Sequence, residues 1–401
     1  MSNHRHESLH VGHPLSRRSL LRAAGAVAAG GVVLGTPGAG WAGAKAVPEV
    51  RTNLDEFMAV ARGSYAIPGQ HPGRVVRVHD PACLTGEEID AAVVRGMVER
   101  GIPALTGQDL PASFTALFTP QDVVGIKVNP VGPPLISVKH EVVQALIAWL
   151  EAGGLTRDRI VIWDRFEEML TEAGFTAERY PGVRIVGLQS PLEDDSPFAD
   201  EQGRHLSDVN FDRDASYLAE GVEGGAGGYH ATEESYLRQH VVAGERSYFA
   251  KLVTRELTKI INVAAFKNTG NGVSMATKNL GYGAINNTGR LHSPLFFRVC
   301  TEVCAAPWIR DKLVLNVLDG IRGQYDGGPM MNEQFVYPSR TLYLATDPFA
   351  LDRVGHDALV AKRKAEGVTV NEHPRFTDYL RLAQELGLGV ADPERIEVIE
   401  A

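Results

Sequence analysis

The sequence predicts an α/β fold, a mixed, mainly parallel sheet flanked by helices, with an acidic, Gly-rich insertion. Three observations predict it. Short runs rich in Val, Ile and Ala alternate with amphipathic helical stretches, the order that parallel crossovers produce. Several runs end abruptly in a charged or amide residue followed by Gly or Pro, as buried strands do where they open into loops. And 401 residues, 44% of them hydrophobic, can bury a sizeable core.

The chain opens with a segment outside the fold. SRRSLLR, residues 16–22, precedes an Ala/Gly-rich apolar stretch, 23–34, and then Ala42-Gly43-Ala44, a small-x-small cleavage pattern. This resembles a twin-arginine export signal, with Leu20 where Phe is commonest. The apolar stretch is too short to span a bilayer, and no cysteine follows it for lipid attachment. The expectation is therefore a removable signal, 1–44, a folded passenger, 45–401, no stable membrane anchor, and a periplasmic or extracellular destination. The partner during export would be the twin-arginine translocase, which carries proteins already folded, often around a cofactor.

Gly73 to His79 alternates like a first strand, and Thr85-Gly-Glu-Glu with Ile89, Val93, Val94 and Met97 suggests a capped helix. Residues 122–129, DVVGIKVN, form a second strand in which Lys127 and Asn129 share a face. His140 opens a helix closed by Gly153-Gly154, and RIVIWD delivers Asp164 to the end of a third strand. A further strand is expected near 183–188. Residues 190–247 turn acidic and Gly-rich, an insertion or lid. Within it Asp208, Asn210 and Asp212 have the spacing that begins a calcium loop. Arg213 and Ala219 stand where such a loop needs Gly and Glu, so a solvated acidic loop is expected.

Residues 259–292, KIINVAAFKNTGNGVSMATKNLGYGAINNTGRLH, organise the rest. An apolar strand ends in Lys267-Asn268, and loops of Gly and Asn carry a second pair, Lys278-Asn279, on to His292. A helix near 295–305 follows. LVLNVLD then delivers Asp319, TLYLATDP ends at a helix-capping Asp347, and Asp352 and His356 lie i,i+4 on the helix beyond. An amphipathic helix, 375–386, and a short strand, 395–399, close the chain.

The formal net charge is −9 with Lys and Arg scattered, which gives no footprint for nucleic acid. Three cysteines are too few for a disulfide framework or an all-Cys cluster. Cys300 and Cys304 at i,i+4 read as buried thiols, with a metal or redox role as the alternative. Neither a P-loop nor a GxGxxG fingerprint is present.

In an open parallel sheet the strands' carboxyl ends share one edge, so these residues are expected to converge on one crevice. Lys127, Lys267, Lys278 and His292 are the candidate catalytic groups. Asn129, Asn268, Asn279, Gly270, Gly272 and Gly281 are expected to bind a small anionic substrate, a carboxylate or phosphate. Asp164, Asp319 and Asp347 are the candidate ligands for a divalent metal ion. Blander roles compete: Asp347 as a helix cap, Asp352 and His356 as a surface pair, and His140 and His292 as structural histidines.

The blocks VVGIKVNP, RIVIWD, KIINVAAFKNTGNGVSMATKNLGYG, LNVLDGI with GGP, and LATDPFALDRVG resemble, in order, those of the DUF362 family of bacterial and archaeal proteins, over residues 75–360. Some family members carry a ferredoxin-type domain, which implies iron–sulfur association. This chain has none of those cysteine runs, so no cluster is expected. The leading expectation is an exported, metal-assisted enzyme acting on a small anion. A non-catalytic ligand- or metal-binding protein and an iron–sulfur-associated redox accessory are the alternatives.

Overall fold

The computed structural model describes residues 50–189, 198–199, 205–206, 210–222, 244–292 and 295–401. The export signal and Asp208 lie outside the described residues, as does most of the acidic insertion. Among the described residues no helix is long and apolar enough to cross a membrane.

The chain builds one mixed, mostly parallel sheet between two layers of helices. Its strands are β1 (Arg74–His79), β2 (Val124–Lys127), β3 (Ile160–Phe166), β4 (Arg184–Gln189), β7 (Lys259–Thr269), β9 (Leu313–Gln324), β11 (Thr341–Ala345) and β12 (Glu397–Glu400). The order across the sheet is β12-β1-β11-β9-β7-β2-β3-β4. The short strands β8 (Gly272–Val273) and β10 (Val336–Tyr337) pair with β7 and β9. A separate ribbon pairs β5 (Phe211–Leu218) with β6 (Arg246–Ala250), and Phe198–Ala199 pairs with His205–Leu206 earlier in the same acidic stretch.

Alternation along each strand decides the layers. Ile126, Ile162, Ile261 and Val263 point to one face, against α1 (Ala91–Thr106), α2 (Leu110–Leu117), α3 (His140–Ala152) and α4 (Glu167–Glu172). Val161, Trp163, Ile260 and Leu313 point to the other, with α6 (Arg298–Ala305) and α8 (Asp378–Glu385). Ala264, Phe266 and Leu318 meet α5 (Ala276–Gly281) and α7 (Pro348–Ala365) there. The strands are buried on both faces, which is why they read as continuous apolar runs.

From β2 the chain passes through α3 to β3 and through α4 to β4, always away from β1. After the insertion it returns to place β7 on the other side of β2, and it then proceeds through α5 and α6 to β9 in the opposite direction. The seam between β2 and β7 is therefore a topological switch point, where crossovers leave on opposite faces, the position at which open α/β sheets bind ligands.

Several elements differ from the sequence expectation. Thr85 does not cap a helix: Leu84–Thr85 and Glu88–Ile89 form a tight ribbon around Gly86 at φ +59. The helix starts at Asp90, whose carboxylate accepts from Ala92 N and Val93 N. Strand β7 continues through Lys267 and Asn268 before Gly270, at φ +54, turns it into β8. The largest difference is β11, which runs antiparallel to both β9 and β1.

Asp347, at the carboxyl end of β11, therefore lies at the opposite edge of the sheet from Lys127 and Lys267. It caps α7 by accepting from Phe349 N and Ala350 N, each at 3.0 Å, and it ties in Gly73 N at 3.1 Å and Val390 N at 2.9 Å. Burial raises its carboxyl from 3.8 to about 6 despite these donors.

Asp347→Ala is expected to destabilise the protein by about 2–4 kcal/mol, from the lost cap and the stranded N–H groups, in denaturant unfolding. The pH dependence follows from the raised value. Between about 4 and 6 the folded carboxyl keeps a proton that the unfolded chain has released, so Asp347 contributes most below pH 4 and its contribution falls as pH rises through 6. The variant should show a smaller decline over that window; an undiminished one would contradict the assignment.

Candidate functional site

At the carboxyl edge of the β2–β7 seam the sequence places lysines inside apolar strands, and the fold supplies each with acceptors. Lys127, the last residue of β2, is 1% exposed and donates to Val128 O at 2.8 Å, to Asn279 Oδ1 at 2.9 Å and to the carboxylate of Asp164. Its Nζ also lies 5.5 Å from the Trp163 ring centroid. Burial favours the neutral amine and Asp164 opposes it. Gly283 makes room for this side chain, since a Cβ there would sit 2.4 Å from Lys127 Cε.

The acceptor on Asn279 belongs to a head-to-tail chain of buried amides. Asn279 Nδ2 donates to Asn262 Oδ1 at 2.8 Å, Asn262 Nδ2 to Asn316 Oδ1 at 3.0 Å, and Asn316 Nδ2 to Thr346 O at 3.2 Å. Each amide accepts from one neighbour and donates to the next, which fixes every orientation and points an oxygen at Lys127. Asn262 and Asn316 were missed by sequence reasoning. Their signal was an asparagine at the same depth of two apolar strands that turn out to be neighbours.

Lys267 approaches the same seam from β7. It is 1% exposed and donates to Asn129 Oδ1 at 3.1 Å and Val131 O at 3.2 Å. Burial pushes its ammonium down to about 7, helped by Lys278, Lys139 and Lys127 and opposed by Asp164. Lys139, also missed, donates to the carbonyls of Pro134, Leu135 and Ser137 and so shapes the loop after β2. Burial brings it to about 8.

Lys278 sits on α5, a six-residue helix that the sequence had suggested was loop. Asp352 of α7 holds the start of α5, accepting from Ala276 N at 2.8 Å and Thr277 N at 3.1 Å. Asp352 thus points inward, whereas His356 turns to Asp357, so the two do not form a pair. The Lys278 ammonium lies 5.2 Å from the Tyr282 ring centroid and 5.3 Å from that of Phe296. His292 packs on the same two rings, 4.7 and 5.3 Å between centroids. Its Nδ1 lies 3.1 Å from Thr288 O, which makes Nδ1 the protonated nitrogen, and burial with Lys278 nearby pushes the imidazole down to about 3. Arg165, at the end of β3, donates to Gln189 Oε1 and Thr288 Oγ1 and adds another buried cation.

The remaining sequence candidates do other work. Asn268 closes the β7–β8 turn, donating to Gly270 O and accepting from Gly328 N. Gly272 and Gly281 allow close packing, since a Cβ would meet the Phe297 ring at 2.2 Å and Cys300 Cα at 2.9 Å. His140 bonds Tyr180 and Ala173 under α3. Cys83, Cys300 and Cys304 are free and buried, and burial raises Cys300 to about 12.

The three aspartates do not meet. Asp164 is taken up by Lys127, Asp319 accepts from Lys139 N at 2.6 Å and Ile321 N at 3.1 Å at the start of α3, and Asp347 is at the far edge. Among the described residues no three His, Cys, Asp or Glu side chains gather as metal ligands. Asp212 of the acidic stretch pairs with Arg255 at 2.7 Å. A groove of about 440 Å³ between α7 and residues 371–377, lined by His356, Asp357 and His373, includes none of the strand-end lysines.

A search of curated proteins gave no match. A comparison with family models matches residues 229–357, the segment that carries Lys267, Lys278 and Asp352, to the family described as Domain of unknown function (DUF362). The earlier VVGIKVNP and RIVIWD blocks lie outside that match, which supports the family resemblance over its later blocks.

Proposed function

We propose that the protein is an enzyme acting on a small anion, a carboxylate or phosphate, held beyond the β2–β7 seam by Lys267 and Lys278. The observation that carries this reading is the excess of cations there. Lys127, Lys139, Lys267, Lys278 and Arg165 are gathered at one edge, where Asp164 is already paired to Lys127 and Asp319 acts on Lys139. On a chain of net charge −9 such a cluster is costly unless an anion offsets it.

Lys267 suits proton transfer, since a group near 7 both holds and releases a proton at neutral pH. The donor set, ammonium groups and amides, fits an anion rather than a bare divalent cation. In this reading a metal would enter with the substrate, as counter-ion to its phosphate or carboxylate. A protein that binds the same anion without turnover is the competing reading, and conversion of a bound metabolite, followed by mass spectrometry, separates the two.

Calorimetry with inorganic phosphate and with malonate tests the site. A charged hydrogen bond is worth ~1.5–3 kcal/mol, so Lys267→Met and Lys278→Met should each weaken binding by about 10–100-fold with the fold intact by circular dichroism. Unchanged affinity in both variants would contradict the proposal. Export is proposed on residues 16–44. Arg17→Lys/Arg18→Lys should retain the full-length chain in the cytoplasm on cell fractionation, and undiminished export would overturn that part.

A further inference from the structure

Within the cluster, Lys127, Lys139 and Lys267 all donate to oxygen acceptors, whereas Lys278 has no hydrogen-bond or ion-pair partner among the described residues. Its surroundings are the Tyr282 and Phe296 rings, the thiol of Cys300 and the neighbouring Lys267. Unlike Lys267, it is only half-buried. Aromatic walls that remove water and a cation close by are the two conditions that turn a lysine into a nucleophile. The ring faces stabilise an ammonium by only ~0.5–2 kcal/mol, a partial offset. The imidazole of His292, which burial keeps neutral, rests on the same two rings.

We propose that Lys278 captures a carbonyl carbon, forming an imine with a 2-oxo acid whose carboxylate is held toward Lys267. This deepens the anion-site reading and rests on it. The Lys278 ammonium releases a proton to solvent water, and the free amine adds to the carbonyl carbon to give a carbinolamine. The proton then returns to the carbinolamine oxygen, which departs as water. The protonated imine keeps the remaining hydrogen on nitrogen, so ammonium plus carbonyl gives iminium plus water and no oxidant or reductant is consumed. Tyr282 and Phe296 would flank the planar product, and Lys267 would offset its carboxylate.

The test is reductive trapping on the whole protein. Pyruvate, glyoxylate and 2-oxoglutarate are each incubated with it and sodium cyanoborohydride, and the digest is mapped by mass spectrometry. The expected result, with at least one of the acids, is a reduced adduct on the peptide holding Lys278. The adduct should be lost in Lys278→Arg, which keeps the charge, and retained in the surface variant Lys364→Arg. No adduct with any of the three acids, or adducts confined to other lysines, would overturn the proposal. Calorimetry with lactate, which has no carbonyl to trap, tells the two levels apart. Lactate binding that Lys267→Met abolishes, with no adduct, leaves the anion site standing and removes the imine; no binding and no adduct removes both.

Discussion

The constraint on which the site depends is the buried ion pair between Lys127 and Asp164. Taking two charges out of water costs several kcal/mol each, and their attraction repays that only when further hydrogen bonds complete the arrangement. Here Val128 O and Asn279 complete it. Asn279 can do so only because Asn262, Asn316 and the carbonyl of Thr346 fix its orientation from across the sheet. The polar chain thus crosses β7 and β9 to reach β11, binding the central strands in register while aiming one amide at one lysine. With Asp164 committed in this way, neither Lys267 nor Lys278 has a carboxylate bonded to it among the described residues.

Topology supplies the second half of the account. The crossovers on either side of β2 and β7 leave on opposite faces, and the residues at the rim of the seam come from both halves of the sheet. The α5 helix extends the rim. It is short and has no cap of its own, and Asp352 supplies that anchor from α7, so the position of Lys278 depends on a helix later in the chain. The loop after α5 is fastened in turn to the β5–β6 ribbon, where Asn286 accepts from Tyr248 N and Asn287 donates to Arg246 O. The asparagines of that loop therefore hold the β5–β6 ribbon against the loop that follows α5.

Much of this was legible in the sequence. Lys127 and Lys267 announced themselves because an ammonium in an apolar run must find partners, and Asp164 because it ends a clear strand. The layers followed from two-residue alternation. The direction of β11 did not, because a strand's own residues do not encode which way its neighbour runs. The available signal was the connection: no helical pattern separates β9 from β11, and a parallel crossover needs one. That one inversion moves Asp347 to the far edge and dissolves the expected set of three aspartates. Asn262 and Asn316 escaped notice because each looks minor alone, and the partnership appears only when register sets β7 beside β9. Helix α5 escaped because six residues carry too little periodicity and its anchor is remote.

The central claim is that uncompensated positive charge is stored at the β2–β7 seam, and Lys267 reports it most directly. The decisive measurement is a pH titration of the Lys267 side chain by heteronuclear NMR, assigned with Lys267→Arg, without ligand and with saturating phosphate. The account predicts a midpoint near 7 in the free protein, moving upward when the anion binds. A midpoint close to the ordinary 10.5 that phosphate leaves unmoved would contradict it.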